Sequence, residues 1–422
     1  MTRDMDTYFR TIEKFFFLLA IFAWASHAAA ATQVDCAGTV CPAMVIKGDR
    51  EATLPNGEPS PFRGFSDATV RQDPESGRLW MAYSWPSIAT DGDRRARFLR
   101  RGASRPQVDI HLAYSDDRGR HWQLAEDLWH PSPATSPDGK PGHMSHEVAN
   151  LLPVREKEGA VWYGARLDYF LPDDGGFRKR PPESFRIVLA KAERPAALRD
   201  APAAKLGSMA TGPSWGMDVN LAALSPETRH CMLWNEPALF HDGKELFLAL
   251  SCMAFRGKTP DLERSDLVVY ASRADGPPSR WQWRYAGRLA GTEEARELGG
   301  GRLTQIDLAR ARDGKLLAIM TPDTWDAEAQ DFVHLGCVAV EVDARGEALR
   351  LARDAEGRLK VRARVTASDA GAAGTAACTY DAASETGIIL GKRNKQGVGL
   401  GHARDRSSAQ MHGALHATGV HP

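Results

Sequence analysis

The sequence has no excess of either charge, since 54 basic residues balance 54 acidic residues in a chain of 422. A balanced chain lacks the overall basic charge typical of nucleic-acid-binding proteins, so we expect no nucleic-acid partner. The sequence also lacks a C-x-x-C pair and a histidine cluster with ligand spacing, so we expect no metal site and no cofactor. Beyond the N-terminus it has no hydrophobic run of membrane-spanning length and no long amphipathic helix pattern.

Residues 1–31 have the pattern of a secretory signal peptide. A charged segment precedes an apolar run from Phe15 to Trp24, and the small residues of SHAAAAT offer a cleavage site near Ala30 or Ala31. An uncleaved anchor is the alternative, but the apolar run is short for a bilayer span. We therefore expect an exported protein, periplasmic or secreted, that is monomeric and contacts no membrane after cleavage.

Six cysteines lie in the exported part of the chain, where disulfides are permitted. Two of them are close in sequence, two flank a predicted hairpin, and the remaining two are left as a third pair. Fifteen connectivities are possible on the sequence alone. The pairs that we prefer are Cys36–Cys41, Cys231–Cys252 and Cys337–Cys378.

Five segments share a pattern in which a short apolar strand crosses a Gly-containing or polar turn into a second apolar strand. They begin near Asp67, Glu147, Glu236, Gln305 and Tyr380, about seventy to ninety residues apart, with further strand candidates between them. Four strands per repeat predict an all-β fold, a β-propeller of five four-stranded blades. Two stacked β-sandwiches are the alternative, but they do not account for the period.

The predicted propeller covers residues 63–395. Residues 32–62 form an N-terminal segment that either closes the last blade or contributes a sixth. Residues 396–422 form a C-terminal tail with weak alternation, either a closing strand or a partly disordered end.

Residues 115–122, SDDRGRHW, fit the pattern Ser-x-Asp-x-Gly-x-x-Trp between two predicted strands. Asp117 can accept hydrogen bonds from the turn, Gly119 can adopt a positive φ, and Trp122 can be buried between sheets. The motif resembles the Asp box, a hairpin signature of sialidase-like β-propellers. It indicates a fold and performs no chemistry itself.

In a propeller, the first strand of every blade lines the central channel, so the residues that open these strands converge on one pocket. Like charges that crowd there raise one another's pKa and can supply the acid and base of glycoside cleavage. Alternatively, each acid binds a local N–H group or an arginine at a strand end. The residues at these positions are Asp67, Glu147, Glu236, Arg302, Gln305 and Tyr380.

The loops predicted on the same rim are rich in arginine, notably residues 91–105 and 178–180. A basic rim on a neutral protein favours an anionic ligand, although a solvated charged loop has the same composition. Trp85 and Trp234 lie near this rim. Their indoles either stack on sugar rings or are buried between blades.

The segments NEPALFHDGKELFLALSCMAFRG and CTYDAASETGIIL resemble the corresponding blades of sialidases. That resemblance implies that Tyr380 is a nucleophile activated by Glu236. It also implies three substrate-binding arginines: Arg63, Arg256 and Arg302.

The spacing of the acids also resembles five-bladed furanosidase and arabinanase-type glycosidases. That resemblance implies that Asp67 is the base, Glu147 a modulator of pKa and Glu236 the acid. From these observations we expect an exported, glycoside hydrolase-like protein that acts on an acidic glycan. The alternative is a non-catalytic propeller that binds a glycan or a protein.

Overall fold

The computed structural model describes the protein in several stretches. They are residues 31–90, 104–136, 139–157, 159–172, 185–207, 217–257, 259–328, 331–344, 346–370, 374–396 and 410–422. Residues Thr32–Pro422 form one compact unit. Residues 1–30 of the predicted signal peptide and most of the arginine-rich loops lie outside the described residues. No helix in the described stretches is long and apolar enough to cross a bilayer.

The strands follow one another in six groups along the chain. The N-terminal segment supplies β1 (Thr32–Asp35), β2 (Ile46–Lys47) and β3 (Phe62–Gly64). The first blade contains β4 (Ser66–Gln72), β5 (Leu79–Thr90), β6 (Ser104–Ser115) and β7 (Trp122–Trp129). The second contains β8 (Ser132–Thr135), β9 (Pro141–Glu156), β10 (Gly159–Pro172), β11 (Phe185–Ala192), β12 (Ala203–Gly207) and β13 (Val219–Asn220).

The remaining blades complete the order. The third contains β14 (Leu233–His241), β15 (Leu246–Arg256), β16 (Thr259–Ser272) and β17 (Arg284–Ala290). The fourth contains β18 (Arg302–Arg310), β19 (Leu316–Asp326), β20 (Asp331–Leu335), β21 (Cys337–Asp343), β22 (Arg350–Leu351) and β23 (Val361–Thr366). The fifth contains β24 (Gly374–Thr379), β25 (Ile389–Gln396) and β26 (Gln410–Ala417).

Helices are few and short in the described stretches. One α-helix, α1 (Thr292–Glu297), lies between the third and fourth blades. The 3₁₀ turns are Pro195–Arg199, Leu221–Ala223, Pro226–Thr228 and Pro278–Arg280.

Within each blade the main strands pair antiparallel in chain order, as in β4-β5-β6-β7 and β14-β15-β16-β17. The inner strands form a ring in which β4 contacts β9 and β24, β14 contacts β9 and β18, and β18 contacts β24. Five hydrophobic clusters lie between successive blades, including one between the fifth and the first. The all-β propeller prediction is therefore confirmed, with five blades.

The apolar runs of the strands follow from this packing. Strand β15, LFLALSCMAFR, is buried from Leu246 to Ala254 because its two faces contact different neighbouring blades. A strand buried on both faces has a nearly continuous hydrophobic run, whereas a half-buried strand alternates. Hydrophobic burial between blades thus holds the ring together.

Segments from the start of the chain close the fifth blade. Strand β3 pairs in parallel with β26, and Ala43 forms an isolated bridge with His416. Strand β1 pairs in parallel with β23 of the fourth blade, and β2 with β7 of the first.

All three preferred disulfides are present: Cys36–Cys41, Cys231–Cys252 and Cys337–Cys378.

The turn between β6 and β7 has the local contacts that its sequence predicts. Asp117 accepts hydrogen bonds from the backbone N–H of His121 at 3.0 Å and from the hydroxyl of Ser115 at 2.8 Å. Gly119 has a φ of 89°, and Trp122 is buried. The turn lies on the rim where strands three and four connect, opposite the rim where the inner strands begin.

Candidate functional site

Every inner strand carries the same irregularity. A β-bulge interrupts each ladder, and one residue in it has a φ between 49° and 57°. A positive φ is unfavourable for residues other than glycine, and such residues are concentrated at functional sites. The five residues at this position, here called the bulge ring, are Asp67, Val148, Glu236, Gln305 and Ala377.

The bulge ring surrounds the central channel. Its residues line a cavity of about 20 Å³, large enough for about one water molecule. Asp67, Glu236 and Gln305 therefore meet as the sequence predicts. Glu147 precedes its ring position, which Val148 occupies, and Tyr380 follows its ring position, which Ala377 occupies.

Asp67 is ion-paired in this ring. Its carboxylate accepts hydrogen bonds from Arg393 and, at 3.0 Å, from the hydroxyl of Ser66. The side-chain amide of Gln305 lies 3.5 Å from Asp67 Oδ1. The Arg393 side chain is only 12% exposed, and its charge acts on Glu236 and Glu147 as well. One guanidinium from the fifth blade thus contacts the acid of the first blade directly.

Glu236 has a different environment. Asn235 donates a hydrogen bond to Glu236 Oε1 at 2.8 Å, whereas the buried Oε2 has no hydrogen-bond partner among the described residues. Burial raises the pKa of Glu236 to about 8, and the charge of Asp67 adds to this effect. The nearby Arg393 opposes it only in part. Glu236 is therefore protonated at neutral pH and can donate a proton.

Glu147 belongs to the same group of charges although it lies one residue before the ring. Its carboxylate contributes to the raised pKa of Glu236 and to the field at Arg393. The buried hydroxyl of Tyr169, on the neighbouring strand, hydrogen-bonds Glu147. Acids from the first, second and third blades thus act on one another.

Arg302, on the fourth blade, also acts on this group of charges and lowers the pKa of Glu236. It is buried, and its guanidinium donates to Asp323 Oδ2 at 2.9 and 3.2 Å. His334 Nδ1 lies 2.6 Å from Asp323 Oδ1, and Phe332 packs against the guanidinium at 3.6 Å. Burial tends to raise the pKa of Asp323, but His334 and Arg302 lower it below its usual value. Arg302 is thus already paired with an internal carboxylate.

Below the ring, a polar network fills the channel. Asp307 pairs with Arg71 and accepts hydrogen bonds from Thr379 at 2.8 Å and Asn150 at 3.1 Å. Asn150 in turn accepts from the backbone N–H of Leu239 at 3.0 Å. These five residues come from the five blades. The network, here called the channel plug, closes the site on that side.

Among the described residues, the contacts of the Tyr380 side chain do not include Asp67, Glu147 or Glu236, and its hydroxyl has no hydrogen-bond partner. It lies three residues beyond the ring position of its strand, about 10 Å along an extended chain. Its ring packs edge-on against His421, with centroids 6.0 Å apart, and Arg312 lies nearby. Arg312 belongs to a turn on the opposite rim. The expectation that Glu236 activates Tyr380 as a nucleophile is therefore corrected by its position.

The two tryptophans differ in exposure. Trp234 is 1% exposed and packs against Tyr270, so the expectation that it stacks on a sugar is corrected. Trp85 remains partly exposed, stacked 4.9 Å from His111, with its indole N–H bonded to the Arg50 carbonyl. Trp85 can thus present part of its surface at the rim.

The remaining predicted arginines are also paired. Arg63 donates to Glu51 at 3.0 Å, and Arg256, with a side chain 75% exposed, donates to Asp261 at 2.8 Å. The other rim arginines that the sequence indicates lie outside the described residues, except Arg105, whose backbone alone is described.

Arg393, Tyr169 and the channel plug were not predicted from the sequence. Arg393 lies on a second strand, whereas the predicted acids all lie on inner strands. Tyr169 also lies on a second strand, next to a glutamate that was identified. The one described group of potential metal-ligating side chains is His230 with Cys231 and Cys252. Those cysteines are bonded to each other, which removes them as ligands.

No protein-family model matches the sequence, and no curated protein matches it in sequence. Among solved structures, the chain is similar to an arabinanase of Bacillus subtilis at 10% identity and a TM-score of 0.39, covering 84% of this chain and 96% of that one. It is similar to an α-L-arabinofuranosidase of Podospora anserina at 9% identity and a TM-score of 0.39, covering 87% and 95%. It is also similar to a Hadza microbial sialidase at 15% identity and a TM-score of 0.33, covering 68% and 45%. Similarity this low assigns no activity.

Proposed function

We propose that the protein is an exported glycoside hydrolase whose chemistry is carried by Asp67, Glu147 and Glu236. The proposal rests mainly on the contrast between the environments of two acids on the bulge ring. Glu236 has a pKa raised to about 8, whereas Asp67 is ion-paired with Arg393. Neighbouring carboxyl groups in opposite environments provide an acid and a base, which glycoside cleavage requires.

In this proposal Glu236 protonates the oxygen of the leaving group, because its proton remains bound at neutral pH. The carboxylate of Asp67 is the base. Glu147 lies close enough to modulate the pKa of Glu236 through its charge. These roles agree with those implied by the furanosidase resemblance. They disagree with the sialidase roles, in which Glu236 must be ionised to act as a base.

The more specific part of the proposal is that the substrate is an acidic glycan. It is supported by the arginine content of residues 91–105 and 178–180. Arg302 and Arg393 are each paired with an internal aspartate, so recognition of the acidic group falls to the rim loops. Replacing Arg97, Arg100 and Arg101 with Gln should weaken binding of an acidic glycan and reduce its dependence on salt.

Purified protein should be assayed against sialosides, uronides and arabinosides, followed by Glu236→Gln. We expect loss of turnover, because the amide has no acidic proton to transfer to the leaving group. Glu245→Gln is the matched control, since Glu245 belongs to the same blade and pairs with Arg284 at 2.6 Å on the opposite rim. Turnover that survives Glu236→Gln would exclude Glu236 from the mechanism.

A non-catalytic glycan-binding propeller is the second candidate. It is favoured by the cavity of about 20 Å³ and by the ion pair that occupies Asp67. A filled ring holds no sugar unless Arg393 moves. Glycan binding in calorimetry, with no product formed from any of the three substrate classes, would support this candidate over hydrolysis.

A further inference from the structure

Glu147 and Tyr169 are diagonal neighbours on one face of the second blade. Glu147 lies opposite Leu167 across the β9–β10 ladder, and Tyr169 lies opposite Ser145. Cross-strand positions share a face, and diagonal neighbours are within reach of a long side chain. The register therefore places the phenol of Tyr169 beside the carboxylate of Glu147.

The hydroxyl of Tyr169 is buried in this position. The residue is 3% exposed, and its hydroxyl hydrogen-bonds both Ser145 and Glu147. Ser145 in turn accepts a hydrogen bond from the backbone N–H of Val108 at 2.9 Å. A chain of polar groups thus runs from the backbone of the first blade, through Ser145 and Tyr169, to Glu147.

The single proton of the hydroxyl determines the direction of this chain. A carboxylate has no proton to donate, so Tyr169 donates and Glu147 accepts. Burial raises the pKa of Tyr169 well above its usual value, so that the hydroxyl remains a donor across the working range of pH. Glu147 therefore receives a neutral donor and Asp67 receives a cation, whereas Glu236 Oε2 receives neither from the residues that the structure describes.

We propose that Tyr169 is a positioning residue, whose hydroxyl holds the Glu147 carboxylate in the orientation from which it acts on Glu236 and Arg393. This rests on the proposed glycosidase function. Tyr169 touches no substrate in this arrangement, and it acts through Glu147. The packing of its ring beside Phe185, with centroids 6.2 Å apart, fixes the direction of the hydroxyl.

Tyr83 provides a matched control. It is equally buried, and its hydroxyl donates to Asp49 Oδ2 at 2.5 Å. Asp49 lies in the N-terminal segment, and it is not among the charges that act on Glu236. Tyr83→Phe therefore removes a tyrosine–carboxylate hydrogen bond without changing the bulge ring.

The experiment compares Tyr169→Phe and Tyr83→Phe in full kinetic profiles. For Tyr169→Phe we expect kcat to fall about tenfold or more with KM nearly unchanged, as for the loss of a hydrogen bond to a charged group. The basic limb of the pH profile of kcat/KM should move to lower pH, because a displaced Glu147 carboxylate raises the pKa of Glu236, the proposed acid, by less. Tyr83→Phe should leave both readouts at the wild-type values. Equal kinetic effects of the two variants, or failure of Tyr169→Phe alone to fold, would overturn the proposal.

A second measurement does not depend on turnover. The melting temperatures of Tyr169→Phe, Glu147→Gln and the double variant form a double-mutant cycle. Non-additive shifts would establish the contact even if no substrate is cleaved, in which case the proposed function fails and the pairing stands. Additive shifts together with measurable turnover would refute the pairing and leave the proposed function intact.

Discussion

Asp67 and Glu236 occupy the same bulge position on the inner strands of the first and third blades, with φ values of 50° and 54°. The shared backbone geometry directs both side chains into one channel. Their environments then differ, because Arg393 pairs with Asp67 while Glu236 Oε2 is buried without a partner among the residues described. An identical backbone feature thus produces two acids of different character.

Glu236→Gln should stabilise the protein at alkaline pH. A carboxyl group whose pKa is raised from 4.5 to about 8 retains its proton on folding, so stability falls as pH rises between these values. At about 1.36 kcal/mol per pKa unit, the loss reaches a few kcal/mol above pH 8. In denaturant unfolding, the wild type and Glu236→Gln should be about equally stable at pH 5. At pH 9 the variant should be the more stable of the two. A difference that is independent of pH would contradict the raised pKa.

Asp307→Asn should destabilise the protein strongly. The change leaves Arg71 as a buried charge without its carboxylate, at a typical cost of about 3–5 kcal/mol. Replacing both residues with apolar side chains, as in Arg71→Met with Asp307→Leu, should recover part of this loss. Urea unfolding measures both effects. A double variant no more stable than Asp307→Asn would show that the other hydrogen bonds of the channel plug dominate.

The disulfides should differ in their contributions to stability. Cys337–Cys378 closes a loop with a sequence separation of 41, whereas Cys36–Cys41 closes one with a separation of 5. The chain-entropy model gives about 4 kcal/mol for the longer loop and about 2 kcal/mol for the shorter. Replacing each pair with alanine and comparing the free energies of unfolding tests this order. Equal losses would indicate that strain or residual structure outweighs loop entropy.

Gly119→Ala should cost more stability than Gly243→Ala. Both glycines have a positive φ, 89° and 99°, so both changes strain the backbone. A Cβ on Gly119 would lie 2.7 Å from Ser384 Oγ, whereas nothing lies within 4 Å of one on Gly243. We expect an additional loss of about 1–3 kcal/mol at Gly119. Turnover per folded molecule should not change, because the turn is on the rim opposite the bulge ring, and a lower kcat would indicate that the two rims are coupled.

The sequence predicted the fold well for physical reasons. Strands such as β15, buried on both faces, appear as long apolar runs, and the turns between strands contain Gly and Asp at fixed places. The repeat of such units indicated the propeller, and strand order placed Asp67, Glu236 and Gln305 near one channel. The cysteine pairs followed from proximity in the sequence and from the hairpin.

The chemistry of the site depended on the tertiary structure. Arg393 is 326 residues from Asp67 along the chain, and its pairing exists because the ring brings the first and fifth blades together. The offset of Glu147 from Val148, and of Tyr380 from Ala377, follows from where each bulge falls, and a shift of one residue changes the face of a strand. The pKa of Glu236 depends on burial and on charges from four other blades. Local sequence therefore determined which strands form, whereas the closed ring decided which acid is paired and which retains its proton.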